Sequence, residues 1–132
     1  MSHLLDSHAF LWCALRPAGL SSRVRELLTH PGRRCAVSVV TFWELSLKYA
    51  LGKLDLSGVS PSEFPRLADQ MSLEVLPLDG TTAATFHALP GAAHRDPFDR
   101  LLVWQAICCN LTLLSKDRAL DIYTPAGLRR YW

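Results

Sequence analysis

The sequence predicts an α/β fold, a mostly parallel sheet with helices on both faces. Three observations carry this. Four short apolar runs recur along the chain: Leu4-Leu5, Cys35-Ala36-Val37, Leu73-Glu74-Val75-Leu76 and Leu111-Thr112-Leu113-Leu114. Each leads into a segment with helical spacing or a helix-start signal. Runs this short and apolar suit strands buried on both faces, as a parallel sheet requires. The length, 132 residues, fits one domain spanning 1–132 around one core.

The elements follow in order. Leu4-Leu5 ends in Asp6-Ser7-His8, and Ala9-Phe10-Leu11-Trp12 continues as a helix. Pro17-Ala18-Gly19 is a break. Leu20-Ser21-Ser22 opens a second helix through Val24, Leu27 and Leu28, stopped by His30-Pro31-Gly32. After the second strand, Ser38 is placed to cap a helix from Val39 to Leu51. There Val40, Trp43, Leu47 and Leu51 recur at helical spacing, so they are expected to line one buried face. Gly52 ends it, and Lys53 to Ser60 reads as a loop. Pro61-Ser62-Glu63 opens a short helix to Gln70, although Pro65 is out of place in a helix interior.

Pro77 closes the third strand. Asp79-Gly80-Thr81 starts a helix through Ala84 and His87, and Leu89-Pro90-Gly91 stops it. In His94-Arg95-Asp96-Pro97-Phe98-Asp99, Asp96 can cap, Pro97 suits the first helical position, and Asp99 falls in the first turn. From Phe98 to Cys109 the helix is apolar on nearly every side, which predicts burial. Ser115-Lys116-Asp117 follows the fourth strand and leads into a short helix. The tail, Tyr123 to Trp132, reads either as an edge strand or as irregular chain.

Composition narrows the class. Hydrophobic content of 49% and charged content of 20% describe an ordinary globular protein. The net charge of +2 is too mild to argue for nucleic acid, so a phosphate-bearing partner must be held by local charge. None of the cysteines, Cys13, Cys35, Cys108 and Cys109, forms a C-x-x-C pair. They are expected to be small buried hydrophobes in a reducing cytosol, and a zinc site is not expected. The start of the chain shows no basic region followed by an apolar run, so no signal peptide is expected. No apolar run is long enough for a membrane span. A cytoplasmic protein is the resulting expectation.

The chemistry lies in the acids. Taken singly, each has an ordinary role. Asp6 and Asp117 read as helix-start acids after strands, and Glu44 as an i,i+4 partner of Lys48 or a capping-box partner of Thr41. Taken jointly they differ. Asp6 and Asp117 follow the carboxyl ends of strands, which lie on one side of a parallel sheet. Glu44 and Asp99 fall near the N-terminal ends of helices that can start on that side. Such an edge is where open α/β sheets bind ligands. Two unit charges about 5 Å apart repel by roughly 3 kcal/mol at an effective dielectric of 20, so four converging carboxylates need protons or cations. Mg²⁺ or Mn²⁺ suits an all-oxygen donor set. Such a site activates water and stabilises a leaving oxygen in phosphodiester cleavage.

Three stretches together resemble the PIN-domain ribonucleases of the VapC toxin type. They are Leu4-Leu5-Asp6-Ser7-His8-Ala9-Phe10-Leu11-Trp12, then Ser38 to Lys48 with Gly52-Lys53-Leu54, then His94-Arg95-Asp96-Pro97-Phe98-Asp99-Arg100-Leu101-Leu102. The resemblance covers nearly the whole chain. It implies a three-layer α/β/α sandwich and a metal-dependent endoribonuclease acting on single-stranded RNA. It implies Asp6, Glu44 and Asp99 as metal-binding acids, with Asp117 as the fourth. The family usually has Thr-x-Asp at that last position, and this chain has Ser115-Lys116-Asp117. Asp96 is expected to cap rather than bind metal. The resemblance further implies a VapB-like antitoxin and a homodimer, and Leu11, Trp12, Leu15, Phe42 and Tyr49 suit an apolar antitoxin groove.

Other groups have supporting roles. Ser7 and Ser115 are placed to cap or to hydrogen-bond the carboxylates or metal-bound water. Arg95, Arg100, Lys116 and Arg118, with His94, stand beside the proposed site, where phosphate contact competes with ordinary solvation. Trp12, Trp43 and Tyr49 are core or partner-facing residues, or stacking surfaces for bases. Two other classes remain open. An aspartyl-nucleophile phosphatase wants Asp-x-Asp after its first strand, and Asp6-Ser7-His8 lacks the second acid; a phosphoacceptor receiver wants paired early acids, also absent. A catalytically weak binding module of the same fold is the other, and the presence of all four acids weighs against it.

Overall fold

The computed structural model describes residues 1–91 and 96–132; the expectations for His94 and Arg95 lie outside them. Five strands form the sheet: β1 (His3–Leu5), β2 (Cys35–Ser38), β3 (Glu74–Leu76), β4 (Thr112–Leu114) and β5 (Arg129–Tyr131). Their order is β3-β2-β1-β4-β5, and every pairing is parallel. The tail is thus an edge strand. Its Arg129-Arg130-Tyr131 sequence lacks an apolar run, and the pairing with Thr112–Leu114 supplies what local preference does not.

Among the described residues the α-helices are α1 (Ser7–Leu15), α2 (Ser22–Thr29), α3 (Val39–Ala50), α4 (Phe64–Gln70), α5 (Gly80–Thr85) and α6 (Pro97–Cys108). All of these starts except that of α4 are set by side-chain caps. Asp6 accepts from the Ala9 N–H at 2.7 Å, Ser21 from Val24 at 3.1 Å, and Asp79 from Thr82 at 2.7 Å. Asp96 accepts from both Phe98 and Asp99, at 2.9 and 3.2 Å, as its expected capping role requires. Pro65 sits in the first turn of α4, where a missing N–H breaks nothing. A separate 3₁₀ turn, Pro61–Glu63, carries its own capping box with Ser60. The segment after Asp117 is a 3₁₀ stretch, Arg118–Ala126, rather than an α-helix.

Adjacent strand residues point to opposite faces and build two cores. Leu5, Val37 and Leu114 pack with Phe10, Val24, Leu45, Phe64 and Ala68 of α1 to α4. Leu4, Ala36 and Leu113 pack with Val103 and Ala106 of α6 and with Tyr123. Each buried aliphatic side chain of this kind contributes about 1.5–3 kcal/mol. The sheet is therefore sandwiched, as the alternation of strands and helices predicts.

Three expectations are corrected. The stripe on α3 faces outward: Val40 is buried, but Trp43 is 61% exposed, Leu51 58% and Leu47 38%. The inner face carries Val40, Thr41, Glu44 and Leu45. A carboxylate takes the inward position, and the apolar stripe turns away from it. Helix α6 is buried along Leu102, Val103, Gln105 and Ala106 only, and its far end reaches the surface. Cys108 and Cys109 are accordingly exposed; of the cysteines only Cys35 is buried.

Candidate active site

The carboxyl edge of the sheet gathers the chemistry. Leu5 is in register with Leu114, and the Asp6 N–H donates to the Leu114 carbonyl at 3.1 Å, so Asp6 extends the ladder by one residue. Ser115 does the same on β4, donating its N–H to the Tyr131 carbonyl at 3.2 Å. Asp6 and Ser115 thus stand side by side, and the Ser115 hydroxyl hydrogen-bonds the Asp6 carboxylate. The same hydroxyl accepts from the Asp117 N–H at 3.1 Å. One serine therefore ties two of the four acids.

Asp6 is buried. Burial pushes its carboxyl above the ordinary aspartate range; the bonds from Ser115 and Ala9 pull the other way, and the charge of Glu44 adds to the rise. Glu44 is 2% exposed and comes in from α3. Its Oε1 accepts from the Ser7 hydroxyl at 2.6 Å, and its Oε2 from Lys48 Nζ at 2.5 Å. Thr41 lies behind Ser7, with the two hydroxyl oxygens 3.3 Å apart. The helix starts at Val39 with Ser38 as cap, so Thr41 and Glu44 form no capping box. The Lys48 pair exists, and one of its partners is buried, which removes it from the weak surface class.

Asp99 lies in the first turn of α6, half-buried. Lys48 links it to the rest. Burial works against the Lys48 charge, but the bond and charge of Glu44, with the charges of Asp96 and Asp99, outweigh it and hold the amine above its ordinary value. Asp117 is exposed and caps the 3₁₀ stretch by accepting from the Ala119 N–H at 3.0 Å. It shares a cleft of about 300 Å³ with Asp6, His8, Trp12 and Lys116. A second cleft, of about 170 Å³, holds Ser7, Glu44 and Lys48, and His8 borders both.

The donor set is all oxygen, and the desolvated Asp6 facing Glu44 is a concentration of negative charge that a divalent cation relieves. Among the described residues no three His, Cys, Asp or Glu side chains already form a cage for an ion; Glu44 is turned to Lys48. The fit is one of chemistry, with Lys48 standing as the cation of the site.

Other expectations resolve residue by residue. Arg100 does not face this edge. Its guanidinium donates to the carbonyls of Leu89 and Gly91, at 3.0 and 2.8 Å, and to the Tyr123 hydroxyl at 3.0 Å, so it staples a loop. Phe42 packs on the rings of Phe10 and Phe64 and belongs to the core. Sequence reasoning did not single out His8, whose only signal is its place one helical turn before Trp12.

The chain resembles known proteins along most of its length. A family profile described as PIN domain matches residues 3–124. Ribonuclease VapC22 of Mycobacterium tuberculosis is 31% identical over 117 residues, covering 89% of this chain and 88% of the relative. Among solved structures, VapBC of Salmonella typhimurium bound to DNA superposes with a TM-score of 0.69 at 17% identity, covering 99% of this chain and 97% of that one. FitAcB of Neisseria gonorrhoeae gives 0.65 at 22% identity, with 98% and 96% covered. These likenesses show the fold. The profile, the relative and the parallel sheet with acids at its carboxyl edge agree, and the chain belongs to the PIN domain family.

Proposed function

We propose that this chain is a metal-dependent endoribonuclease, the toxin of a toxin–antitoxin pair. One observation carries the reading: at the carboxyl edge of the sheet the buried Asp6 shares a cleft with Asp117 and feels the charge of the buried Glu44, which lines the adjoining cleft. A fold has no structural need for two desolvated carboxylates that repel. VapC22, a ribonuclease by name, supports the choice of RNA. Family membership also sets aside the phosphatase and phosphoacceptor readings.

Asp6, Glu44, Asp99 and Asp117 would hold Mg²⁺ or Mn²⁺ through oxygen. Bound there, such ions would supply activation of water and stabilisation of the charge on the leaving oxygen. Asp6 is kept in place by Ser115 and the Ala9 N–H, and Glu44 by Ser7. Lys48 pairs with Glu44 and balances its charge. The protein acts in the cytoplasm; among the described residues no helix is long and apolar enough to cross a membrane.

A VapB-like antitoxin covers Leu11, Trp12, Leu15 and Tyr49, of which Leu15 and Tyr49 are exposed in the free chain. The outward stripe of α3 serves a homodimer. Trp43, Leu47 and Leu51 run beside an apolar cleft of about 220 Å³ lined by Phe86, Pro97, Phe98 and Leu101, and a two-fold axis pairs such a surface with itself. Sedimentation of Trp43→Ser is expected to show monomers.

The test is cleavage of a mixed RNA pool by the antitoxin-free protein, with Mg²⁺ or Mn²⁺ and then with chelator. Discrete products that vanish with chelator and with Asp99→Asn are expected. That variant is expected to fold normally and to lose metal binding. Cleavage at the parent rate by Asp99→Asn overturns the assignment.

A further inference from the structure

We propose that a basic pocket next to the acidic cleft is a phosphate subsite for the RNA strand flanking the cut, with a tryptophan pair as its stacking surface. The proposal rests on the ribonuclease reading and names a site that reading does not contain. The pocket, of about 490 Å³, is lined by Arg23, Lys116, Arg118, Arg130, Tyr131 and Trp132. These residues come from α2, from the turn after β4 and from β5, so the sheet order assembles them although they are far apart in sequence.

The cations divide by role. Arg130 is a post: its guanidinium grips both Asp121 oxygens, at 2.7 and 3.0 Å, and donates to the Ser115 carbonyl at 3.0 Å. Arg23 lies over the Tyr131 ring, 4.4 Å from its centroid. Among the described residues Arg23, Lys116 and Arg118 make no ion pair within 4.0 Å, and all three are exposed. Three exposed cations around one hollow, of which Arg118 also acts at longer range on Asp121, suit phosphate oxygens. A protein partner rich in carboxylates would meet the same charge, but it would not use the aromatic surface as a nucleic acid does.

The pocket adjoins the acidic cleft. Lys116 lines both. Its amine stands 5.9 Å from the centroid of Trp12, and the Trp12 and Trp132 rings are 5.6 Å apart. Gly19 fixes Trp12 in this position: a Cβ there would lie 2.5 Å from the indole, so only glycine lets the ring seat. A strand leaving the acids therefore crosses Trp12, where a base can stack, before its next phosphates reach Arg23 and Arg118. The acids cut and the basic pocket holds, and Lys116 is shared by the two.

The test is binding of a labelled mixed-sequence RNA of about 12 nucleotides, within the span of single-strand grooves, to the full chain in chelator over a salt series. The variants are Arg23→Gln, Lys116→Gln and Arg118→Gln combined, and separately Trp132→Leu. The triple variant is expected to bind at least about tenfold more weakly, with a log–log salt slope shallower by about 2, since each phosphate contact on a single strand contributes about 0.7. Trp132→Leu is expected to weaken binding and leave the slope unchanged. Circular dichroism checks that both fold. Parent-like RNA binding by the folded triple variant overturns the subsite. A parent protein that cleaves RNA while the triple variant binds normally refutes the subsite alone. A parent protein that neither binds nor cleaves refutes the ribonuclease reading with it.

Discussion

Asp6 and Asp117 occupy the same local motif and have opposite fates. Each follows a strand, each adopts an extended backbone, and each caps the next helical turn through one carboxylate oxygen. Asp6 follows β1, the central strand, with α3 delivering Glu44 against it; Asp117 follows β4 by three residues and looks into solvent. Capping geometry is therefore silent about function. The position of the strand in the sheet decides which acid carries an electrostatic burden and which is a surface cap.

Asparagine caps as well as aspartate, so Asn substitutions isolate charge from geometry. The largest effect is expected at Asp6→Asn. Cleavage should fall by more than the roughly 10–100-fold that outer-shell partners cost. In chelator its melting temperature should rise above that of the parent, because a repelling, desolvated charge is gone. A fall in melting temperature would show that the burden is absent.

Ser115→Ala comes next, since its hydroxyl serves both acids. Leaving buried polar partners unsatisfied costs about 1–3 kcal/mol, read by denaturant unfolding. Cleavage is expected to fall by about 10–100-fold. Asp117→Asn should lie below both, with activity down by less than about tenfold and melting temperature unchanged. A loss equal to that of Asp6→Asn would erase the distinction between the two junctions.

Acidity gives the smallest and most continuous test. The folded-state pKa of Asp6 is raised above the unfolded value, so between those two values the native state holds more protons than the unfolded one. The stability of the metal-free protein should therefore fall as pH rises through that window. Asp6→Asn should flatten that fall, and Asp117→Asn should leave it as it is. Melting in chelator across acidic and neutral buffers reads both.

The strand positions and most of the helix starts were legible because local chemistry sets them. Apolar runs between turn signals mark the strands, and Asp6, Ser38, Asp79 and Asp96 mark the caps. The orientation of α3 was not legible. Periodicity shows that Val40, Trp43, Leu47 and Leu51 share a stripe, but not whether the chain itself or another molecule covers it. The four acids stand out in the sequence because each has a position relative to a strand end or a helix start; the structure couples Asp6 to Glu44 and leaves Asp117 exposed. Of the basic pocket, Lys116 and Arg118 were legible beside Asp117, while Arg23, Arg130 and Trp132 were not, since they join it only through strand order.

The central strand has a further consequence, in time. Residues 3–5 pair on one side with 35–37 and on the other with 112–114. In chain order Asp6 and Glu44 are made well before Ser115 and Asp117. A growing chain thus carries its acids without a centre, and no fragment lacking β4 can assemble one. On the ribonuclease reading, synthesis yields no assembled centre until residues 112–117 have joined the central strand.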